Sequence, residues 1–177
     1  MIIRITSDAR KEADLVAKRC ITKGIINPDD PRGVNGGTIY DRFYTGFLGE
    51  WAFNEFLKRK NVKDKIIWGR DGDRMAGDGD FSVGKKIMDV KTASKSFHKR
   101  LMIPVAQFRR ILNDYYVATK ITDDQVEILG YATGDDIHKA HVKDFGIGDT
   151  KYILHSMLRP INDLVNQQIL KKWFDEK

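Results

Sequence analysis

The chain has 177 residues, of which 41% are hydrophobic and 32% are charged, and its formal net charge at pH 7 is +6. This length and composition predict a single domain over residues 1–177 with its own hydrophobic core, and they exclude a low-complexity or repeat protein. The single cysteine, Cys20, excludes an intrachain disulfide, and no apolar run approaches the roughly 18 residues of a membrane span. Because the N-terminus lacks a signal-peptide pattern, we expect an intracellular protein with no membrane partner.

The first 38 residues predict a helix followed by a loop. Ser7 has the features of an N-cap, and the helix is expected to run to about Thr22 with Cys20 packed in the interior. Residues 23–38 contain four glycines and two prolines, which is typical of a loop.

A second helix is predicted from about Tyr40 to Lys60. Its apolar residues fall on one broad face, which comprises Tyr40, Phe43, Tyr44, Phe47, Leu48, Trp51 and Leu57. Glu50 falls inside this face, and a carboxylate there loses hydration energy unless it is paired, bound to a metal ion or at the rim. Two interpretations follow: Glu50 is an acid directed toward a metal site, or it is a rim residue that reaches water.

Residues 80–91 predict a β-hairpin, preceded by a short strand at residues 65–69. Gly84 and Lys85 suit the two-residue loop of a type II′ turn, and this loop sets Asp80 opposite Asp89. Because side chains alternate along a strand, one face carries Asp80, Ser82, Ile87, Asp89 and Lys91, and the core face carries Phe81, Val83, Met88 and Val90.

Two directly opposed carboxylates repel each other, because their Cβ atoms lie about 5 Å apart. A divalent metal ion held by carboxylate and backbone oxygens would relieve the repulsion, and Lys91 beside it would make a site for phosphate chemistry. The alternative is a solvated face with an unpaired acidic pair. The same D-x-K pattern recurs at Asp149-Thr150-Lys151, where we expect no site because no acid is opposed to it across a turn. An EF-hand calcium loop over residues 71–82 fits poorly, because Ser82 takes the place of the bidentate glutamate.

Positive charge is concentrated from the hairpin onward. Residues 85–110 contain eight Lys or Arg and one acid, a charge of +7 that leaves −1 for the remainder of the chain. A track for a phosphate backbone is predicted from Lys85, Lys86, Lys95, Lys99, Arg100, Arg109 and Arg110. An ordinary solvated basic surface is the alternative, and the neighbouring acidic pair favours a polyanion.

The rest of the chain predicts a helix near Pro104, two strands and a terminal helix. The first helix should bury one side formed by Val105, Phe108 and Leu112. Tyr115–Ile121 and Gln125–Tyr131 predict two strands joined by a turn. Pro160 predicts the start of the terminal helix, with an inward side formed by Ile161, Leu164, Val165 and Leu170.

Two histidines, His138 and His141, have a spacing compatible with one helical face. No third metal ligand lies nearby in the sequence. We therefore expect both histidines to be surface residues.

The order of helix with an acid, strand, Asp-bearing strand, D-x-K strand, helix and strand resembles the PD-(D/E)xK nuclease superfamily. The resemblance spans residues 40–121 and is carried by Gly49-Glu50, Asp80 and Asp89-Val90-Lys91. It implies an α/β fold: a restriction-endonuclease-like αβββαβ core at approximately residues 40–131, with a central mixed β-sheet flanked by helices and extra N- and C-terminal helices. The proline before the first acid is missing, as it is in many members, and Gly79 precedes Asp80 instead.

The resemblance also implies the metal ligands. Asp80, Asp89 and the carbonyl of Val90 would ligate Mg²⁺, which Mn²⁺ would replace. Glu50 would complete the metal shell directly or through water. The expected cofactor is therefore a hard divalent cation.

The remaining roles follow from the same resemblance. Lys91 would orient or activate the attacking water and offset charge on the phosphate, so the expected catalytic residues are Glu50, Asp80, Asp89 and Lys91. Thr92 and Gln107 would be auxiliary contacts. A Gln-x-x-x-Tyr element of some exonuclease branches is absent, because Ile111 follows Gln107 at that spacing.

The expected activity is that of a Mg²⁺-dependent endodeoxyribonuclease of a virus, mobile element or genome-maintenance pathway. Its partner would be DNA, and a homodimer would supply the two active centres that two-strand cleavage needs. Branched-DNA cleavage and restriction-like cleavage both fit. The alternatives are a non-catalytic nucleic-acid-binding module with the same fold, and a metal-binding structural domain without a nucleic-acid partner.

Overall fold

Two helices near the N-terminus precede most of the strands, and the structure is a computed structural model. It describes residues 1–23, 38–62, 66–68, 79–95, 97–110, 112–146 and 148–166. The strands are β1 (Ile2–Arg4), β2 (Ile66–Trp68), β3 (Phe81–Val83), β4 (Lys86–Ala93), β5 (Arg100–Pro104), β6 (Tyr115–Thr122), β7 (Gln125–Thr133), β8 (His141–Asp144) and β9 (Asp149–Leu154). The helices are α1 (Ser7–Thr22), α2 (Ile39–Arg59), α3 (Val105–Arg110), α4 (Gly134–Lys139) and α5 (Ile161–Asn166).

The central sheet has six strands in the order β1-β7-β6-β4-β3-β2. All neighbouring strands are antiparallel except β4 and β6, which are parallel. A parallel pair needs a crossover connection, and here β5 and α3 lie within it. The predicted hairpin of β6 and β7 is confirmed, with Thr122 opposite Gln125. A mixed sheet flanked by helices confirms the predicted α/β class.

A second sheet of three antiparallel strands, in the order β5-β9-β8, was not predicted. Leu101 and Ile103 of β5 are buried and share a core cluster with Tyr116 and Ala118 of β6. The cluster also contains Phe108, which holds α3 against the same face. The small sheet therefore covers one face of the central sheet.

Helix α2 covers the opposite face, and α1 packs against α2. The buried residues of α1 are all small, namely Ala9, Ala13, Ala17 and Cys20, which allows the two helices to approach closely. Cys20 is buried as predicted. The N-cap of α1 is Thr6, one residue before the predicted Ser7, because the Thr6 Oγ1 accepts a hydrogen bond from the Ala9 N–H at 3.1 Å.

Some sequence expectations need correction, and others fall outside the described residues. Leu112 lies beyond the end of α3 and is 72% exposed, although Phe108 is buried as predicted. Both His138 and His141 are exposed as expected, but they lie on α4 and β8 and share no helical face.

The terminal helix α5 begins directly after Pro160, and its Ile161 and Leu164 are buried. Leu170, most of the predicted 23–38 loop and most of the stretch considered as a calcium loop lie outside the described residues. Within the described ranges, no helix is both long enough and apolar enough to cross a membrane.

Candidate active site at the edge of strand β4

The hairpin of β3 and β4 has the predicted register. Phe81 pairs with Met88, and Val83 pairs with Lys86 across the turn. Gly84 adopts φ of 62°, the left-handed conformation that a type II′ turn requires at its first central residue. The predicted core face is confirmed, because Phe81, Val83, Met88 and Val90 are all buried.

Asp80 does not extend this ladder. Strand β3 begins at Phe81, and the Asp80 N–H donates to the carbonyl oxygen of Met88 at 2.8 Å. The Asp80 Oδ2 then accepts a hydrogen bond from the Val90 N–H at 2.6 Å. The carboxylate thus lies along the edge of β4, where a longer β3 would have placed a backbone carbonyl. The expectation that Asp80 lies directly opposite Asp89 in the ladder is wrong.

Gly79 explains this departure. Its φ of 73° turns the chain at the start of β3, and a Cβ at this position would lie 2.4 Å from the Ile87 Cγ2. Proline cannot adopt a positive φ, because its ring holds φ near −65°. A glycine is therefore required here by the local backbone, and proline would not fit.

Asp89 and Lys91 form a partly buried ion pair on the side of β4 that faces the small sheet. The Lys91 Nζ lies 2.7 Å from the Asp89 Oδ2 and donates a hydrogen bond to Oδ1 at 3.0 Å. Asp89 is 4% exposed, whereas 29% of the Lys91 side chain is exposed. The ammonium group thus stands between a buried carboxylate and solvent.

Glu50 reaches this region because Gly49 lets α2 lie directly on the sheet. A Cβ on Gly49 would stand 2.0 Å from the Thr92 Oγ1 and 2.6 Å from the Thr119 Oγ1. No side chain can be accommodated at that distance, so the helix backbone contacts β4 and β6 at this point. The next residue of the helix, Glu50, is held close to the β4 edge.

Trp68 of β2 positions the Glu50 carboxylate and was not predicted as a site residue. Its Nε1–H donates to the Glu50 Oε2 at 2.8 Å. The indole stacks on Phe47 at 5.3 Å and on Phe81 at 5.6 Å between ring centroids. The predicted strand at residues 65–69 was the available signal, since an antiparallel partner of β3 places Trp68 opposite Phe81.

The four charged groups interact with one another. Burial raises the pKa of Glu50 to about 7, with Trp68 opposing the shift, Asp89 adding to it and Lys91 opposing it. Burial, Glu50 and Asp89 raise the pKa of Asp80 well above its ordinary value, against the effects of Lys91 and the Val90 N–H. Three acids therefore surround one lysine, and their burial and mutual repulsion disfavour the charged forms of Glu50 and Asp80.

Lys91 keeps its proton in this cluster. Desolvation lowers its pKa, but the attraction of Asp89, Asp80 and Glu50 outweighs that effect and raises the pKa above its ordinary value. The side chain is therefore an ammonium group at neutral pH. It can stabilise negative charge, and it is a poor proton acceptor.

The donor set fits a hard divalent cation in its chemistry. Asp80 and Asp89 offer carboxylate oxygens, and the buried Asp89 Oδ2 makes no aligned hydrogen bond although Lys91 Nζ is close to it. Backbone groups alternate along a strand, so the Val90 carbonyl faces the same edge as its N–H, which bonds to Asp80. In the described part of the chain, however, no three Asp, Glu, His or Cys side chains converge into a metal-binding group.

The predicted auxiliary residues lie on different sides of the sheet. Thr92 alternates away from Lys91, and its Oγ1 accepts a hydrogen bond from the Thr119 Oγ1 at 3.0 Å beneath α2. Its contacts are those of helix packing. Gln107 is half-buried on α3, next to Phe108, and its role stays a prediction.

The predicted basic track is divided between separate places. Lys85 and Lys86 lie at the hairpin turn, and Lys86 forms a 2.6 Å ion pair with Asp114. The eight residues of β4 separate that turn by roughly 23 Å, at about 3.3 Å per residue, from the segment after the strand. That segment carries Lys95, Lys99 and Arg100, while Arg109 and Arg110 lie in the last turn of α3.

The second D-x-K pattern corrects one expectation. Asp149 is directly opposite Asp144 in the ladder of β8 and β9, so an acid is opposed to it after all. Both acids are exposed, and the Asp144 Oδ1 accepts hydrogen bonds from the N–H groups of Gly146 and Gly148. An opposed pair of acids is therefore not distinctive. What distinguishes the β4 site is its burial and the additional acid from α2.

No protein-family profile, curated protein or solved structure matches this chain.

Proposed function

We propose that this chain is a divalent-metal-dependent nuclease that hydrolyses phosphodiester bonds in DNA. The observation that carries the proposal is the electrostatic cluster of Glu50, Asp80, Asp89 and Lys91 at the β4 edge. Glu50 and Asp80 are half-buried acids with raised pKa values, and they lie beside the buried Asp89 and the charged Lys91. Such arrangements are costly, and they are concentrated at functional sites. Mg²⁺, or Mn²⁺ in its place, is the proposed cofactor.

The element order supports a restriction-endonuclease-like core of the PD-(D/E)xK kind. Helix α2 is followed by β2, β3 and β4, then by α3 and β6, which is the order αβββαβ. Strand β5 precedes α3 as an addition, and β7 extends the sheet beyond β6. The acids come from α2, from the start of β3 and from β4, as the resemblance requires.

The role proposed for each residue of the site follows from the chemistry of its side chain or backbone group. Asp80, Asp89 and the Val90 carbonyl would hold the cation, with Glu50 nearby. A divalent cation at such a site polarises the phosphoryl group and lowers the pKa of bound water. The Lys91 ammonium would offset the charge that develops on the phosphate. Trp68 would keep the Glu50 carboxylate in position.

A non-catalytic nucleic-acid-binding module is the second candidate. Two observations favour it: Lys91 contacts both oxygens of Asp89, and the described residues contain no three-residue metal-binding group. In such a module, the lysine would replace the metal ion as the partner of the carboxylate.

Cleavage assays separate the two candidates. Supercoiled plasmid, linear duplex, branched and single-stranded DNA are incubated with Mg²⁺, Mn²⁺ or a chelator. The nuclease proposal requires cleavage that depends on metal and is lost in Asp89→Asn. Asp149→Asn is the matched control, since it changes the exposed acid of the second D-x-K pattern and should cleave normally. Binding of DNA without metal-dependent cleavage would support the binding module instead.

The finer features of the proposal are carried by the resemblance alone. These are a homodimer and a preference for either branched or sequence-specific sites. Sedimentation velocity at micromolar concentration measures the first, and comparison of initial rates on the substrates above measures the second.

A further inference from the structure

One face of the small sheet carries aromatic and cationic side chains. Leu101 and Ile103 of β5 point into the core, so alternation places their neighbours on the opposite side, together with the residues paired to them on β9 and β8. We call this side the outer face. It carries Arg100, Met102, His141, Lys143 and Tyr152, together with Pro104, Leu154 and the buried Thr150, and Phe145 follows directly after β8.

The aromatic rings of the outer face form a continuous group. Phe145 and Tyr152 meet edge to face, with centroids 5.4 Å apart and an interplanar angle of 85°. His141 lies 6.2 Å from Tyr152 with a tilt of 35°. Phe145 and Tyr152 are half-buried and His141 is exposed, so the rings are held by the sheet and still reach the surface.

Two cations stand over these rings. The Arg100 guanidinium lies 5.4 Å from the Phe145 centroid and 5.7 Å from the Tyr152 centroid. The Lys143 Nζ lies 5.7 Å from the Phe145 centroid. A guanidinium that stacks through its flat face retains its N–H donors in its own plane, where they can bind phosphate.

The charge of the outer face is positive. Arg100 and Lys143 are both exposed, and the exposed Lys99 directly precedes Arg100 in the chain. The acids of these three strands, Asp144 and Asp149, are paired with each other and alternate onto the other face. Cations interspersed with aromatic rings are the combination that binds single-stranded nucleic acid, because phosphates meet the cations and unstacked bases meet the rings.

We infer that the outer face binds a single nucleic-acid strand, with phosphates at Arg100 and Lys143 and bases against Tyr152 and His141. The choice of a single strand follows from the rings, since the bases of an intact duplex have no free face to offer. The inference depends on the proposed function for the class of substrate only. The surface is distinct from the β4 edge and requires no metal ion.

Binding of a fluorescein-labelled dT₂₀ strand, followed by anisotropy in chelator at low salt, tests the inference. Arg100→Glu and Lys143→Glu should each weaken binding by at least about fivefold and lower the slope of log Kd against log salt by about 1. Tyr152→Ala should weaken binding by at least about fivefold through lost base stacking. Lys11→Glu on α1, which makes the same charge change at a site 75% exposed, should change binding less than twofold.

Thermal unfolding establishes whether each variant is folded. If Tyr152→Ala does not fold, Arg100→Glu and Lys143→Glu still test the inference. The inference is overturned if the wild-type chain fails to bind dT₂₀, or if Lys11→Glu weakens binding as much as Lys143→Glu. An equal loss of duplex and single-strand affinity would overturn the single-strand assignment. If Arg100→Glu, Lys143→Glu and Tyr152→Ala bind dT₂₀ as tightly as the wild-type chain, and the wild-type chain cleaves plasmid with metal, this inference alone is overturned. If Asp89→Asn loses cleavage and still binds dT₂₀, strand binding at the outer face is separate from cleavage at the β4 edge.

Discussion

Trp68 connects the packing of the protein to the chemistry of its site. Its ring lies against Phe47 and Phe81, which are both buried, and its one polar atom bonds to Glu50. A carboxylate on the apolar face of a helix is tolerated when such a donor is present. The indole therefore gives the half-buried Glu50 carboxylate a hydrogen-bond donor, so this acid is compensated.

Trp68→Phe keeps most of the ring and removes the donor. We expect it to destabilise the protein by about 1.5 to 3 kcal/mol, the usual contribution of a hydrogen bond to a charged group. Urea unfolding at pH 8 measures the change. Trp51→Phe is the control, because Trp51 is also partly buried against the same core. Equal losses in the two variants would show that the bond to Glu50 contributes nothing.

Glu50 should make the stability of the metal-free protein depend on pH. Its pKa of about 7 exceeds its ordinary value of 4.5, so the folded state binds the proton more tightly than the unfolded state. The stabilising contribution is present below pH 4.5 and is lost as the pH rises through 7. Glu50→Gln has no such loss.

Thermal unfolding in chelator checks this expectation. Between pH 5 and pH 8, the midpoint of the wild-type chain should fall relative to that of Glu50→Gln by on the order of 3 °C, the shift that about 1 kcal/mol produces in a chain of this size. Parallel curves for the two proteins would contradict the raised pKa. Titrating groups outside the cluster are common to both proteins and cancel in the difference, whereas the pKa of Asp80 also changes when Glu50 is removed.

At the scale of elements, α2 offers two glycines with opposite surroundings. Gly49→Ala would place its Cβ 2.0 Å from the Thr92 Oγ1, whereas a Cβ on Gly46 meets nothing within 4 Å. We expect Gly49→Ala to destabilise the protein by about 2 kcal/mol or more and to reduce cleavage, because the helix must move off the sheet. Gly46→Ala should be neutral or stabilising by up to about 1 kcal/mol. Denaturant midpoints of the two variants provide the measurement.

The β3–β4 hairpin was predictable because its signal is local. Gly84-Lys85 and the alternation of apolar residues determine the turn, the register and the core face. The position of Asp80 was not predictable in this way, since it depends on the positive φ of Gly79 and on where β3 begins. The predicted N-cap of α1 was wrong by one residue, because Thr6 and Ser7 are adjacent and equally suitable as caps.

The small sheet left no comparable signal in the sequence. Every residue of β8 is exposed, so the strand lacks the alternation of apolar and polar residues that marks a half-buried strand. Strand β5 pairs with β9, about 50 residues further along the chain, and such a register is not encoded locally. The ends of α3 and the exposure of Leu112 follow from the same unpredicted packing.

At the scale of the whole molecule, the sequence was sufficient to predict the α/β class. It was also sufficient to predict that Glu50, Asp80, Asp89 and Lys91 lie in one region. These residues come from α2, the start of β3 and β4, and their convergence depends on the central sheet. Whether a metal ion completes the region is a question about global stability as well as activity. A cation that binds only the folded state must raise the free energy of unfolding.

Mn²⁺ or Mg²⁺ should therefore stabilise the folded chain. At a metal concentration of 100 times its Kd, the gain is about 2.7 kcal/mol. Thermal unfolding of the wild-type chain should show a rise in midpoint with millimolar metal, and Asp89→Asn should show none. Asp149→Asn should respond like the wild type. A response of all three proteins alike would indicate metal binding elsewhere, and no response would favour the binding module.

The lone thiol of Cys20 lies on the buried side of α1, where desolvation, followed by the nearby Glu50, raises its pKa. Because Cys20 is largely buried and its thiolate form is disfavoured in place, we expect an alkylating reagent to react with it mainly when α1 separates from its surroundings. The rate of alkylation under native conditions is therefore a clock for local opening of this helix. The chain carries its own site-specific reporter of that motion, with no engineered label and no second cysteine to obscure the signal.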